Sequence, residues 1–125
     1  MNEIQRRRFA RKYKRLQTIG TIDPFCRLCG KCKWWVRFEH HHIAGRGYAP
    51  DLILLCGDCH DEASDLQKDH PAMNDNMDAE TIKHMKMLLG LKDLFQIAEA
   101  NLNAAVQHMD GWPYQPRDRD GEEDR

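Results

Sequence analysis

The sequence predicts a small α+β fold: two short strands and a helix held together by paired cysteines, with a basic helix before this unit and helices after it. Three observations carry that expectation. Two Cys-x-x-Cys pairs, Cys26/Cys29 and Cys56/Cys59, bracket a segment rich in His and Gly. Within that segment, apolar residues alternate or run together in strand-length stretches on either side of a Gly-containing loop. In both flanking segments the apolar residues recur at three/four spacing instead.

Residues 1–17 read as a basic amphipathic helix, with Phe9, Tyr13 and Leu16 at helical spacing among Arg6, Arg7, Arg8, Arg11, Lys12, Lys14 and Arg15. Thr18 to Pro24 reads as a linker, closing a first unit of residues 1–24. The compact unit spans 25–70. In it Trp34 to Ile43 is expected as a strand, 44–50 as a loop around Gly45 and Gly47, and Leu52 to Leu55 as a second strand. A helix should begin near Cys59 and reach about Lys68, before Pro71 ends it. The third unit, 71–109, should be helical from an Asp78 N-cap, with a break expected at Gly90. Its apolar stripe runs through Leu91, Leu94, Ala98, Leu102, Ala105 and Met109, first as a packing face and second as a dimer seam. From Asp110 the composition turns to Gly, Pro and charge, and residues 110–125 are expected as a disordered acidic tail.

The net charge of −1 conceals an asymmetry. Residues 1–60 hold 12 Lys/Arg against 5 Asp/Glu, whereas residues 61–125 hold 7 against 15. A basic half that also carries the cysteines suits a phosphate backbone, and the acidic half does not. There is no membrane-length apolar run, and the N-terminus is charged rather than secretory in character, so a cytoplasmic setting with no membrane partner is expected. Five cysteines in such a setting favour metal over disulfides.

Four thiolates at Cys26, Cys29, Cys56 and Cys59 can close one tetrahedral zinc site, which would be structural because no position stays open for water. Cys29 and Cys32 form another pair of the same spacing; Gly30, directly after Cys29, favours Cys26. Between the pairs lies Glu39-His40-His41-His42-Ile43, and His60 directly follows the second pair. Clustered imidazoles of this kind suit a second, open metal site with a base beside it.

The stretch from Cys26 to about Leu66 resembles the HNH endonucleases, or ββα-metal fingers, in particular phage and prophage forms with paired Cys-x-x-Cys knuckles. The residues that carry the resemblance are Cys26-Arg27-Leu28-Cys29, His41-His42-Ile43 and Asp51-Leu52-Ile53-Leu54-Leu55-Cys56-Gly57-Asp58-Cys59-His60. They cover about a third of the chain. The resemblance implies cleavage of DNA phosphodiester bonds with one divalent ion. His41 and His60 would ligate that ion, His42 would be the general base, and Asp51 would brace the loop and orient His42. Asp51 stands where the family's namesake residue is Asn, and Ser64 where some members carry a further His. Protein ligation is therefore thin, which favours Mg²⁺ or Mn²⁺ over Ni²⁺ or Zn²⁺ as the catalytic ion.

Strand periodicity places His40 and His42 on one face and His41 on the other, so a base and a ligand serving one phosphate would need a twist or bulge. His40 is read as a solvent-facing strand residue. Arg6, Arg7, Arg8, Arg11 and Lys12 are the candidate DNA arm, and Arg46 a candidate phosphate contact. The alternative is a non-catalytic zinc module of phage origin that binds DNA or a protein. Partners beyond DNA would be a second copy or a phage protein.

Overall fold

In a computed structural model that describes residues 1–74 and 76–108, the elements run α1 (Glu3–Ile19), β1 (Phe38–His42), β2 (Leu52–Cys56), α2 (Gly57–Lys68) and α3 (Ala79–Gln107). The expected tail from 110 to 125, and Met109 of the stripe, lie outside the described residues. No helix among the described residues is long and apolar enough to cross a membrane.

β1 and β2 form an antiparallel hairpin paired from Phe38↔Cys56 to His42↔Leu52. The first strand is shorter than its sequence pattern suggested. Beyond Cys56 the second strand turns into α2, so after one last bond from the Gly57 N–H to the Arg37 carbonyl at 2.8 Å residues 34–36 have no strand partner and fold into a turn, Val36 N–H donating to the Lys33 carbonyl at 3.0 Å. α2 also begins two residues earlier than expected, because Cys56 serves as its N-cap: its sulfur accepts the Cys59 N–H at 3.5 Å, as a Ser or Asp oxygen would.

One face of the hairpin packs against α2 and α3. Leu55, Ala63, Leu94 and Ile97 are buried there together with Cys26, Cys56 and Cys59, so the thiols are part of the core. α1 stands apart. Only its last turn is buried, and its capping box at Asn2 and Gln5 closes the far end in solvent. Two contacts anchor the near end: the Arg15 guanidinium donates to the Val36 carbonyl at 2.8 Å, and His40 donates from Nε2 to the Ile19 carbonyl at 2.9 Å.

α3 is unbroken at Gly90, contrary to the expectation from glycine's helix propensity. The residue is there for a close approach: a Cβ at Gly90 would overlap the Ile43 carbonyl oxygen at the end of the hairpin. The overlap is backbone against backbone, so neither side can rotate away. Gly90→Ala should therefore destabilise the fold by about 3 kcal/mol, the upper end for overpacking, although it would favour an isolated helix. Thermal melts of the two proteins check this; an equal or higher melting temperature in the variant would show that α3 does not seat on Ile43.

The apolar stripe of α3 is also split. Gly90, Asp93, Leu94 and Ile97 face the core, while Leu102 and Ala105 are exposed. Asp93 is the surprise on the buried face. Its carboxylate lies 2.5 Å from His70 Nε2, tying the segment after α2 to α3, and both side chains are almost wholly buried.

Candidate metal centre and nucleic-acid face

The four thiols of Cys26, Cys29, Cys56 and Cys59 have all their sulfurs within 4.8 Å of one another. Cys29 and Cys56 are 3.6 Å apart at sulfur, against roughly 3.8 Å expected for two thiolates on one tetrahedral zinc with Zn–S bonds of ~2.3 Å. None of the five cysteines is in a disulfide, and Cys32 is exposed and outside the cluster. The donor set, spacing and burial fit a closed zinc site.

The surroundings favour a negative sulfur at Cys26 and oppose one at Cys29 and Cys59. Burial raises the Cys26 thiol, but the backbone N–H groups of Cys56, Leu28 and Cys29 outweigh that and bring it down to about 7. Cys59 is pushed far up, first by burial and then by sharing protons with its neighbouring thiols. One thiolate is easy to form here, whereas four without a cation are not. From α3, Asn101 donates its side-chain amide to the Leu28 carbonyl at 2.8 Å and towards Cys59 Sγ at 3.8 Å. Across the outside, Lys31 and Asp58 clamp the two knuckles at 2.9 Å. Partners of this kind orient ligands around a metal.

A second group without thiols lies beside the first. Ligand atoms of Glu39, His60 and Asp61 fall within 4.8 Å of one another. Glu39 Oε2 is 2.5 Å from His60 Nδ1 and Asp61 Oδ1 is 3.8 Å away. The close carboxylate lies off the direction of the ring N–H, and His60 Nδ1 is buried without a directed hydrogen-bond partner. One imidazole nitrogen and two carboxylates gathered this closely make a donor set that fits a hard or intermediate divalent ion.

His41 backs this group. It is 3% exposed, and its ring meets that of His60 edge to face with centroids 5.3 Å apart. His41 is thus in ring contact with His60 but is not one of the residues whose ligand atoms gather within 4.8 Å of one another. Burial, followed by the nearby His60 and His42 rings, pushes the His41 pKa below the ordinary histidine range, so the ring is neutral and can bind a metal. Gln67 of α2 approaches His41 Nε2 at 3.4 Å and donates to the His42 carbonyl at 3.1 Å, fixing the strand end.

His41 and His60 are thus brought together, but His42 is not brought into the same cleft. The hairpin register is regular, with no bulge between Phe38 and His42, so His42 faces away from His41. It lines a second cleft of about 340 Å³ with Gly47, Tyr48, Ala49 and Pro50. Among the described residues no side-chain hydrogen bond joins Asp51 to His42. The tie at this point is through backbone, Ile43 N–H to the Asp51 carbonyl at 3.2 Å, and Asp51 is exposed.

The cleft at His60, about 400 Å³, is also lined by Glu39, His40, Arg46, Thr18 and Ile19. It therefore runs from the carboxylate–histidine group to the end of the basic helix. Arg6, Arg7, Arg8, Arg11 and Lys12 are all exposed on α1, Arg7 being paired with Glu3 at 3.2 Å. Trp34 joins Arg11, Lys14, Arg15 and Thr18 in a groove at the base of this helix. His40, in contrast, is held by the Ile19 carbonyl, an acceptor that requires the proton on Nε2.

Glu39 and Asp61 had no role in the sequence reading. The period of two that set His41 apart from His42 also puts Glu39 on the His41 face, and that signal was available. No family model, curated protein or solved structure matches this chain.

Proposed function

We propose that the chain is a metal-dependent DNA endonuclease of the HNH type, in which a structural zinc holds the fold and a second divalent ion serves hydrolysis. The observation that carries the reading is the carboxylate–histidine group of Glu39, His60 and Asp61, backed by His41 and set directly against a four-thiol cluster. A zinc-binding module needs the thiols and has no use for an adjacent, half-open imidazole and carboxylate group.

In this reading Cys26, Cys29, Cys56 and Cys59 hold zinc, and His60 with His41, Glu39 and Asp61 hold Mg²⁺ or Mn²⁺. When bound, that ion supplies charge stabilisation at the scissile phosphate and the leaving 3′ oxygen. His42 is the proposed base on the family resemblance. Its ring lies on the opposite face of β1, so taking the proton from water at this ion requires the strand end to turn it into the His60 cleft, neutral imidazole being the form suited to that near pH 7. Asp51 keeps the strand entrance and the loop carrying Arg46 in place. Arg46, beside His60 in the cleft, donates to a phosphate oxygen, while the arginines and Lys12 of α1 follow the backbone without reading bases. Residues 25–70 are the catalytic unit, 1–24 the DNA arm and 71–109 the helical cover.

Relaxation of supercoiled plasmid on addition of Mg²⁺ or Mn²⁺, halted by EDTA, tests the reading. Protein that binds plasmid under all these conditions and never nicks it is the non-catalytic module instead.

A further inference from the structure

α3 carries an apolar seam that the fold covers only in part, leaving Leu88, Phe95, Leu102 and Ala105 exposed and Leu91 and Ala98 half-buried. Its core side is Gly90, Asp93, Leu94 and Ile97. A separate line of Leu88, Leu91, Phe95, Ala98, Leu102 and Ala105 advances in alternating steps of three and four, about a third of a turn around the helix from that side. Leu88, Phe95 and Leu102 are 54%, 71% and 65% exposed. Scattered apolar residues are ordinary on a surface. Three large ones seven residues apart, with smaller ones between them, make a continuous strip of the kind that pairs helices. At the preceding positions of the same line stand Thr81 and His84, so the strip begins at Leu88.

Size and charge identify what covers it. In a parallel pair Phe95 would meet Phe95 and Ala98 would meet Ala98, leaving a clash next to a gap. In an antiparallel pair Phe95 faces Ala98 of the second copy, Leu88 faces Ala105 and Leu91 faces Leu102, so large and small residues alternate across the seam. Lys92 and Glu99 are exposed along the outer edge of the strip. Antiparallel pairing sets Lys92 of each copy beside Glu99 of the other, making two symmetry-related ion pairs, and parallel pairing makes neither.

We infer that α3 is a self-association helix through which two copies of this chain form an antiparallel, two-fold symmetric dimer. The occupant of the seam is the same seam on a second molecule.

Sedimentation equilibrium of the full chain tests the inference. Wild-type protein should show a mass rising with concentration from 14.7 kDa towards twice that value. Phe95→Glu, at a position that touches little in its own fold, should stay monomeric with circular dichroism unchanged. Lys92→Glu alone and Glu99→Lys alone should each weaken association by roughly tenfold, from two lost pairs that become like-charge contacts. The double swap Lys92→Glu/Glu99→Lys should restore the wild-type constant, which neither a covering by the chain's own C-terminal residues nor a foreign partner would produce. A wild-type chain monomeric up to sub-millimolar concentration overturns the proposal. So does a dimer indifferent to Phe95→Glu, or a double swap no better than the single changes.

Discussion

Cys59→Ser should lose bound zinc and with it the cooperative thermal transition. Cys59 is buried in the same cluster as Leu55, Ala63, Leu94 and Ile97, so the metal and the apolar core are one unit. Structural zinc contributes on the order of 10 kcal/mol in small domains. That is comparable to the whole stability of a typical domain, ~5–15 kcal/mol, so the loss cannot be absorbed. Removing one ligand also leaves Cys29 in a site where burial raises its thiol, so the remaining cysteines hold the ion less readily. Cys32→Ser is the matched control, since Cys32 is exposed and outside the cluster, and it should keep both zinc and melt. Metal content and calorimetry on the two variants decide the point. A Cys59→Ser protein with unchanged zinc and melting temperature would remove the four-thiolate site from the account.

The second large effect is expected at the histidines. His42→Ala should fold, keep zinc and bind DNA, yet lose cleavage by roughly the 10²–10⁴-fold that follows loss of a positioned base. His60→Ala and His41→Ala should fail for a different reason, weak metal binding, so excess Mn²⁺ should partly restore them. It should not restore His42→Ala, because no proton acceptor returns. His40→Ala should cleave nearly as well as wild type: its Nε2–H is spent on the Ile19 carbonyl, so its loss loosens the anchor of α1 and leaves the Glu39–His60–Asp61 group intact. Rates measured across a Mn²⁺ titration separate these cases. A fully active His42→Ala beside an inactive His40→Ala would mean that the proton acceptor is one strand position earlier.

Much of the fold was legible because its signals are local. Cysteine spacing marked the knuckles, and the apolar run from Leu52 to Leu55 marked the second strand, whereas the alternation at Trp34, Val36 and Phe38 lies ahead of the first except at Phe38. Asp78 marked the start of α3, where its carboxylate accepts the Thr81 N–H at 2.7 Å. What escaped the sequence depends on partners distant in the chain. β1 is cut short at Phe38 by the length of β2, a limit that no pattern in residues 34–37 records. Gly90 read as a helix breaker, because only the packed hairpin reveals the Ile43 carbonyl pressed against it. His70 and Asp93 had no visible relation across 22 intervening residues until the fold closed them into a buried pair.

The candidate site divides along the same line. The pairing of His41 with His60 was implied by the family resemblance, and the two rings are in contact. The carboxylates of Glu39 and Asp61 needed the geometry of strand against helix, because neither position belongs to the motif. His42 stayed apart from His41, as strand periodicity alone requires, and the regular register supplies no bulge to reconcile them.

The most direct test is plasmid nicking by zinc-loaded protein as Mn²⁺ is raised from zero, with zinc content followed in the same samples. The account predicts no nicking with zinc alone, a saturable rise with Mn²⁺ at constant zinc, abolition by EDTA, and a curve displaced to much higher Mn²⁺ in His60→Ala. Wild-type protein that stays inert with Mg²⁺, Mn²⁺, Ni²⁺ and Zn²⁺ on supercoiled, linear and branched DNA, or nicking that persists undiminished in His60→Ala, would contradict it.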